Sequence, residues 1–382
     1  MNGGFAETFY AIDFPRWRER SLQATEADVD RALARRGRCA AQHGLEDFCA
    51  LLSPTAMARI EELAQHAHRC TVQRFGRVLQ MYAPLYLSNE CIDECTYCGF
   101  SRENPIHRVT LDGAKVFREA RHLLGEGFRH VLLVSGEHPR LVSTGYLEEQ
   151  IRGLRPHFAS ISVEVAPQST EAYRQLVRAG LDGVSVYQET YDTESYARHH
   201  LSGRKKNFDW RLATPERASA AGVGHIGIGA LLGLSEPLHD MLATFVHASW
   251  CQRRLWRSSF SVSVPRLRAA AGAIDAPYEL SDRSLSQFVC ALRLCLPDIG
   301  ITLSTRERPQ LRDGLVRLGV TQLSAGSRTE PGGYGEPDSD AEQFEIADHR
   351  SPAQVAARLR ALNYEVVWKD WESSLAAVGG PS

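Results

Sequence analysis

The chain has 382 residues, 43% hydrophobic and 24% charged, an ordinary globular composition with room for one large domain or two smaller ones. A formal net charge of −2 gives no basic field for nucleic acid, and no uncharged apolar run approaches the roughly 18 residues that span a bilayer. The N-terminal MNGGFAETFYAIDFPRWRER has neither an apolar core nor a cleavage-site pattern, so the expected location is the cytoplasm.

Residues 1–76 read as a helical extension. ATEADVDRALARRG starts at a cap, Thr25, and SPTAMARIEELAQHAHRCTVQRFG predicts one helix from a cap at Ser53 to Gly76. Met57, Ile60, Leu63, Ala64 and Ala67 fall on one face of it. From about residue 78 the rhythm changes to short β-branched runs between amphipathic helices. The predicted strands are 78–88, 130–136, 160–167, 183–190, 225–234, 259–265, 300–305 and 320–326. Segments 112–127 and 170–180 are two of the helices between them. Strand–helix alternation implies a parallel sheet, and eight units over about 250 residues predict a closed (β/α)8 TIM-type barrel over 77–330. No G-x-G-x-x-G follows an early strand, so a dinucleotide fold is not indicated. Residues 327–350, rich in Gly, Pro and acids, read as a long loop or lid. A capped helix and an apolar segment around Val366–Trp368 complete a C-terminal extension over 331–382 that packs on the barrel.

The ends of the strands carry the chemistry. After the first strand comes LSNECIDECTYCGF, which places Cys91, Cys95 and Cys98 in C-x3-C-x2-C spacing with Tyr97 before the last. Three thiolates on one loop can hold three irons of a 4Fe–4S cluster and leave the fourth open to a small molecule. A structural zinc site would need a fourth ligand, for which His107 is the nearest candidate, and no second C-x2-C pair follows. Cys39, Cys49, Cys70, Cys251, Cys290 and Cys295 are scattered and read as core or surface thiols. The second strand ends in SGEH, with Gly136 and Glu137. The third contains Glu164, a polar residue in an apolar alternation that can take both hydroxyls of a ribose, and Gln168 follows it. The fourth ends in YQETY, with Gln188 and Glu189, and leads to Tyr196, Arg198, His199 and His200. Adjacent histidines on a helix point about 100° apart and cannot chelate from one face, so they read as packing or loop contacts. Arg266 and Arg268 follow the sixth strand, Ser304, Arg306 and Glu307 the seventh, and Ser324 and Ser327 the eighth. Arg306 as a bidentate fork and Ser324 beside it can hold the head of an α-amino acid. The alternative for Arg306 is a salt bridge to Glu307 or another acid.

The cysteine spacing resembles the signature of the radical S-adenosylmethionine (SAM) enzymes. The longer strings PLYLSNECIDECTYCGFS, LVSGEH, VYQETYDTESYARHHLSGRKKNFDWRL, SVSVPRLR, LSTRERPQLRD and SAGSRTEPGGY closely resemble the 2-iminoacetate synthase (tyrosine lyase) family, from about residue 15 to VWKDWESSL. The resemblance implies a barrel carrying one 4Fe–4S cluster and SAM. It implies hydrogen abstraction from L-tyrosine and cleavage of its Cα–Cβ bond to p-cresol and 2-iminoacetate (dehydroglycine), for the thiazole of thiamine. It makes Cys91, Cys95 and Cys98 cluster ligands, gives SAM contacts to Tyr97, Gly136, Glu137 and Glu164, and gives the substrate's head to Arg306 and Ser324; Gln168 and Arg198 are further candidates for SAM. Expected partners are an electron donor such as flavodoxin or ferredoxin and a thiazole synthase. After PRLR the chain reads AAAGAIDAP, where relatives carry a more polar segment. A tryptophan lyase of the same superfamily is the nearer alternative, and a non-catalytic iron–sulfur or zinc protein is the alternative of another class. A hydrogenase-maturation tyrosine lyase would carry a second C-terminal cysteine cluster, and no cysteine follows Cys295.

Overall fold

A computed structural model describes residues 3–35, 44–335, 337 and 342–369. Cys39 and the segment from Asp370 to the C-terminus lie outside the described residues, so the expectations for them are not met or failed here.

Eleven strands are present among the described residues: β1 (Val78–Ser88), β2 (Glu94–Cys95), β3 (His130–Ser135), β4 (Ser160–Glu164), β5 (Gly183–Ser185), β6 (His200–Ser202), β7 (His225–Gly229), β8 (Ser259–Ser263), β9 (Gly300–Leu303), β10 (Gln322–Ser324) and β11 (Glu365–Val367). Eight of them pair in parallel in the order β1-β3-β4-β5-β7-β8-β9-β10, and β10 returns to β1, which closes the barrel. β1 is long enough to pair twice along one side. Its first residues, Val78–Gln80, take β11, and Ala83–Ser88 take β3. The apolar segment at 365–367 therefore extends the wall at the barrel's N-terminal end.

Alternation decides which side chains face in. Along β1, Leu79, Met81, Ala83, Leu85 and Leu87 are fully buried against the surrounding helices, whereas Tyr82, Pro84 and Tyr86 line the interior cavity. On β8, Phe260 and Val262 are buried in the main core and Ser263 lines the cavity. The interior is thus largely hydroxyl-bearing, unlike the layers of branched apolar residues that fill many barrels. β7 carries glycine at the crowded positions. A side chain at Gly229 (φ 157°) would collide with the carbonyl of Ser263 on β8.

The ladders are shorter than the apolar runs. β4, β5 and β7 end at Glu164, Ser185 and Gly229, and single bridges Glu189–Ala230 and Leu232–Arg266 continue the contact beyond them. Backbone hydrogen bonds such as Gln188 N–H to Gly229 O at 2.9 Å carry these segments on from the ladder to the mouth.

The N-terminal helices cover two barrel helices, Pro237–Arg254 and Asp282–Cys295. Phe48 stacks on Phe245 at 4.1 Å and Phe5 on His247 at 3.9 Å. That coverage explains why the Pro237–Arg254 helix is buried from Asp240 to Cys251 on every face. The helix predicted from Ser53 to Gly76 is broken in two, Pro54–Ala58 and Ile60–Phe75. Arg59 at the break leaves helical geometry (φ −106°, ψ 26°), and its guanidinium gathers Glu26, Asp30 and Glu62. Among the described residues no helix is long and apolar enough to cross a membrane.

Arg293 ties these layers together. Fully buried, it donates to the carbonyls of Pro297 and Ile299 at 2.8 Å each and of Gly319 at 2.7 Å, and lies 4.5 Å from the centre of the Phe75 ring. Arg293→Met would leave three carbonyls without donors, at about 1 kcal/mol or more each. The expected result is a loss of about 3 kcal/mol in urea unfolding, with the loaded metal content unchanged.

Candidate functional site

The cysteine loop lies between β1 and the helix Gly113–Gly125 and is shaped by one guanidinium. Arg108 donates to the carbonyls of Asn89 (2.6 Å), Phe100 (2.9 Å), Ser101 (2.6 Å), Asn104 (3.2 Å) and Arg102 (3.4 Å). Asn89 closes the base of the loop by accepting from Val109 N–H at 2.6 Å and donating to His107 O at 2.7 Å. The antiparallel pair β2–β6 sets Cys95 against His200. Ser101 Oγ accepts from Cys95 N–H at 3.1 Å. Gly136 meets the loop from the end of β3, where any side chain would collide with Glu90 O.

Cys91, Cys95 and Cys98 are free thiols, Cys95 buried and the other two half-buried. Burial pushes the Cys91 thiol up to about 12 and raises Cys98 and, most, Cys95. Among the described residues no three His, Cys, Asp or Glu side chains converge on a point where one ion would sit, and His107 is exposed. Three thiols spread over one loop suit a cluster, which takes one thiolate per iron, better than a closed tetrahedral zinc. The five remaining described cysteines are buried in the core.

Behind the loop runs a buried chain of charges. Arg211 donates to Glu137 at 2.9 Å, to Glu189 at 3.4 Å and to the Tyr187 carbonyl at 2.6 Å. Lys205 Nζ donates to the same Glu189 oxygen at 2.7 Å and stands 5.6 Å from the centre of the Tyr97 ring. Burial works to raise the Glu189 carboxyl, but the Lys205 and Arg211 charges outweigh it and hold the group below its ordinary value. Glu189 occupies left-handed backbone (φ 70°), a strained geometry for a residue with a side chain, which its two cations hold in place. Asp93, on the cysteine loop, accepts from Lys205 N–H at 3.1 Å; burial and then the Glu137 charge push its carboxyl up to about 6.

The interior cavity opens beside Tyr97 and Cys98 and runs past Tyr82, Tyr86, Leu132 and Glu164 to Arg306. Arg306 lies 3.2 Å from the centre of the Phe344 ring and has no carboxylate within ion-pair distance among the described residues. Its sequence neighbour Glu307 is taken instead by Arg266 and Arg268. Ser324 Oγ and Ser327 Oγ are buried in the same cavity without partners, while Arg312, paired with Asp348, holds the Ser324 carbonyl. Buried polar atoms ordinarily find partners, so an unpaired guanidinium beside two unpaired hydroxyls marks a place where a ligand completes the bonding. Tyr97 OH is hydrogen-bonded to His200 Nε2 at 2.8 Å, and His199 to Thr96 Oγ1 at 2.8 Å.

The structure therefore gathers Cys91, Cys95, Cys98, Tyr97, Gly136, Glu137, Glu164, Arg306 and Ser324 around one mouth. Gln168 stands to one side, bonded to Thr144 and the Ala166 carbonyl, in a second cavity of ≈ 790 Å³ shared with Glu137 and Arg211. Arg198 is not brought in. It is exposed on the helix Thr193–His199 and donates to Ser195, because the inward face of that helix is used by His199. The guanidinium beside Glu137 is that of Arg211, which the sequence reading passed over together with Lys205 and Gln343. None of the three directly follows a strand of the barrel. Arg211 and Lys205 did lie in a singled-out string, GRKKNFDWRL.

Residues 85–247 match the Radical SAM superfamily, and residues 263–365 match the Biotin and Thiamin Synthesis associated domain. The chain is 46% identical to 2-iminoacetate synthase of Escherichia coli (strain K12) over 97% of each chain. It is 44% identical to 2-iminoacetate synthase of Salmonella typhimurium, again over 97% of each. Among solved structures, HydG, a maturase of the FeFe-hydrogenase, superposes with a TM-score of 0.88 at 29% identity, covering 93% of this chain and 79% of that one.

Glu164 gives the site a pH signature. Burial, and then the Glu189 charge, push its carboxyl from 4.5 up to about 7. The folded state thus binds this proton more tightly than the unfolded chain does. Stability from this group is present below pH 4.5 and lost as pH rises toward 7. Glu164→Gln, measured without ligands, should unfold at higher urea than the parent at pH 8, and the gap should close by pH 5. An equal gap at both values would show that folding does not raise this carboxyl's pKa, and a parent more stable than the variant at pH 8 would place the charged carboxylate in a stabilising contact.

Proposed function

The chain belongs to the 2-iminoacetate synthase family of radical SAM enzymes, and on that premise we propose that its interior cavity cleaves the Cα–Cβ bond of L-tyrosine. The products are 2-iminoacetate and p-cresol, the former destined for the thiazole of thiamine. The observation that carries the reading is the pairing, across one cavity, of a three-thiol loop with an unpaired guanidinium and two unpaired hydroxyls. When bound, the 4Fe–4S cluster supplies the electron that splits SAM to methionine and the 5′-deoxyadenosyl radical.

The chain's own residues hold and orient. Cys91, Cys95 and Cys98 would hold the cluster through three thiolates, one fewer than its four irons. Glu137 and Arg211, 2.9 Å apart behind the loop, offer a carboxylate and a fork of matching sign for the ammonium and carboxylate of SAM's methionine half. Glu164 accepts from the ribose, Tyr97 supplies an aromatic face, and Gly136 lets the backbone approach. Arg306 forks onto the carboxylate of tyrosine, with Ser324 beside its amino group. Tyr82, Tyr86 and Leu132 wall the cavity and exclude water from a reactive radical. The electron for the cluster would come from a low-potential donor such as flavodoxin or ferredoxin, and a thiazole synthase would receive the product, in a cytoplasm where thiols stay reduced.

Anaerobic incubation with SAM, reductant and each aromatic amino acid tests the reading. Tyrosine alone should give p-cresol with 5′-deoxyadenosine, and an indolic product from tryptophan would transfer the assignment to the tryptophan lyases. Cys91→Ala, Cys95→Ala and Cys98→Ala should each abolish turnover, whereas Cys251→Ala, buried in the core, should keep its iron. Full activity in any of the first three would overturn the ligand assignment.

Arg306→Lys separates orientation from binding. Lysine offers a point charge where the fork fixed a plane, and hydrogen transfer needs the reacting atoms within roughly 3–3.5 Å. The ratio of deoxyadenosine to p-cresol should rise about tenfold, the worth of one charge-assisted hydrogen bond. An unchanged ratio with unchanged tyrosine affinity would remove Arg306 from the substrate's head.

A further inference from the structure

Gln343 and Phe344 lie at the barrel mouth and touch the cysteine loop and Arg306 with consecutive residues. Gln343 Nε2 stands 3.9 Å from Cys98 Sγ, and Gln343 Oε1 accepts from Tyr86 OH at 2.8 Å. Phe344, the next residue, lies under the Arg306 guanidinium. The backbone at this point is pinned on three sides. Gly99 N–H donates to Gln343 O at 3.0 Å, Gln343 N–H to Thr329 O at 3.0 Å, and Glu345 N–H to Ala269 O at 2.9 Å. Any side chain at Gly99 would collide with the carbonyl of Glu342, so that glycine is what lets the strap lie on the loop.

A primary amide can turn either its oxygen or its N–H groups to a neighbour. A neutral thiol tolerates both. A thiolate repels the oxygen and selects the N–H, and the Tyr86 hydroxyl, donating to Oε1 from the other side, favours the same orientation. Cys98 has one further donor close by, the Phe100 N–H. Hydrogen bonds to cluster sulfurs are among the terms that set an iron–sulfur potential.

We propose that Gln343 is a positioning residue for the cluster: its amide donates to the Cys98 thiolate and raises the cluster's reduction potential, from a strap that also carries the stacking partner of Arg306. The proposal rests on the reading of Cys98 as an iron ligand. The step concerned is transfer of one electron from a low-potential one-electron donor to the cluster, with no bond made or broken. The added negative charge spreads over irons and sulfurs, so an N–H dipole aimed at one sulfur favours the reduced form over the oxidised one.

The test is a redox titration of the reconstituted holoenzyme with dithionite, followed by the EPR signal of the reduced cluster, with iron counted in every sample. In Gln343→Leu the reduction equilibrium should become about tenfold less favourable, a negative shift of about 59 mV for a one-electron couple. Gln343→Glu keeps the shape and removes the donor, so it should shift the same way and decides the matter if the leucine variant loses iron. Tyr86→Phe frees the amide to turn and should give a smaller shift of the same sign. Parent-like potentials in Gln343→Leu and Gln343→Glu with iron intact would overturn the proposal. A merely structural strap would lower iron content and leave the potential of the remaining clusters alone. Retention of the cluster in Cys98→Ala would instead overturn the ligand reading on which the proposal stands.

Discussion

Four buried charges in alternation, Glu137, Arg211, Glu189 and Lys205, hold the mouth of this barrel in shape. They come from three separate segments: the end of β3, the loop after β5, and the stretch between β6 and β7. Each charge alone would be costly to desolvate, and removal of any one leaves its neighbour buried and unpaired. The chain therefore closes as a unit. Lys205 N–H also holds Asp93, so the same unit fixes the cysteine loop, and Glu189 is kept in a backbone geometry it would not adopt unaided. The energy stored in that arrangement is spent on position, not on stability. Opposite signs lie at fixed places beside the thiols, ready for a zwitterionic ligand.

This unit also shows why the sequence was legible in some places and not in others. A cysteine spacing is local, and so is the alternation that divides β1 into helix-facing Leu79, Met81 and Leu85 and cavity-facing Tyr82 and Tyr86. Both could be read directly. Arg211 and Lys205 reach the site across a crossover, so proximity to a strand end did not reveal them. Arg198 failed for the complementary reason. It is close in sequence to the polar residues of the mouth, yet one helical step of about 100° turns it to solvent while His199 faces in. The single helix read over 53–76 failed because a periodic apolar face says nothing about an arginine drawn out of line by three acids.

The interior of the barrel makes a second physical point. A closed parallel barrel must fill its centre, and most use branched apolar side chains in layers. Here serines, a threonine and tyrosines face inward, and their demand for partners is met in part by one another and by the backbone. Ser324 and Ser327 have buried hydroxyls without partners, in the same cavity as the unpaired Arg306. Solvation lost without compensation is a standing cost, and a fold selected for stability alone would have replaced these groups with apolar ones. Their coincidence in one cavity is therefore a stronger indication of a bound zwitterion than any single residue there.

The C-terminal part of the chain reaches both ends of the barrel. At one end β11 pairs with the first residues of β1. At the other, Gln343 rests on the cysteine loop and Phe344 on Arg306. These two contacts are adjacent along a backbone that hydrogen bonds to Thr329, Gly99 and Ala269 hold in place. The Phe344 ring beside Arg306 is therefore not carried on a slack loop. A shift of that ring is taken up by side-chain rotation or passed to the neighbouring amide, which among the described residues bonds Tyr86 and Cys98. The geometry thus joins the Arg306 guanidinium to the cysteine loop through two consecutive residues, Phe344 and Gln343.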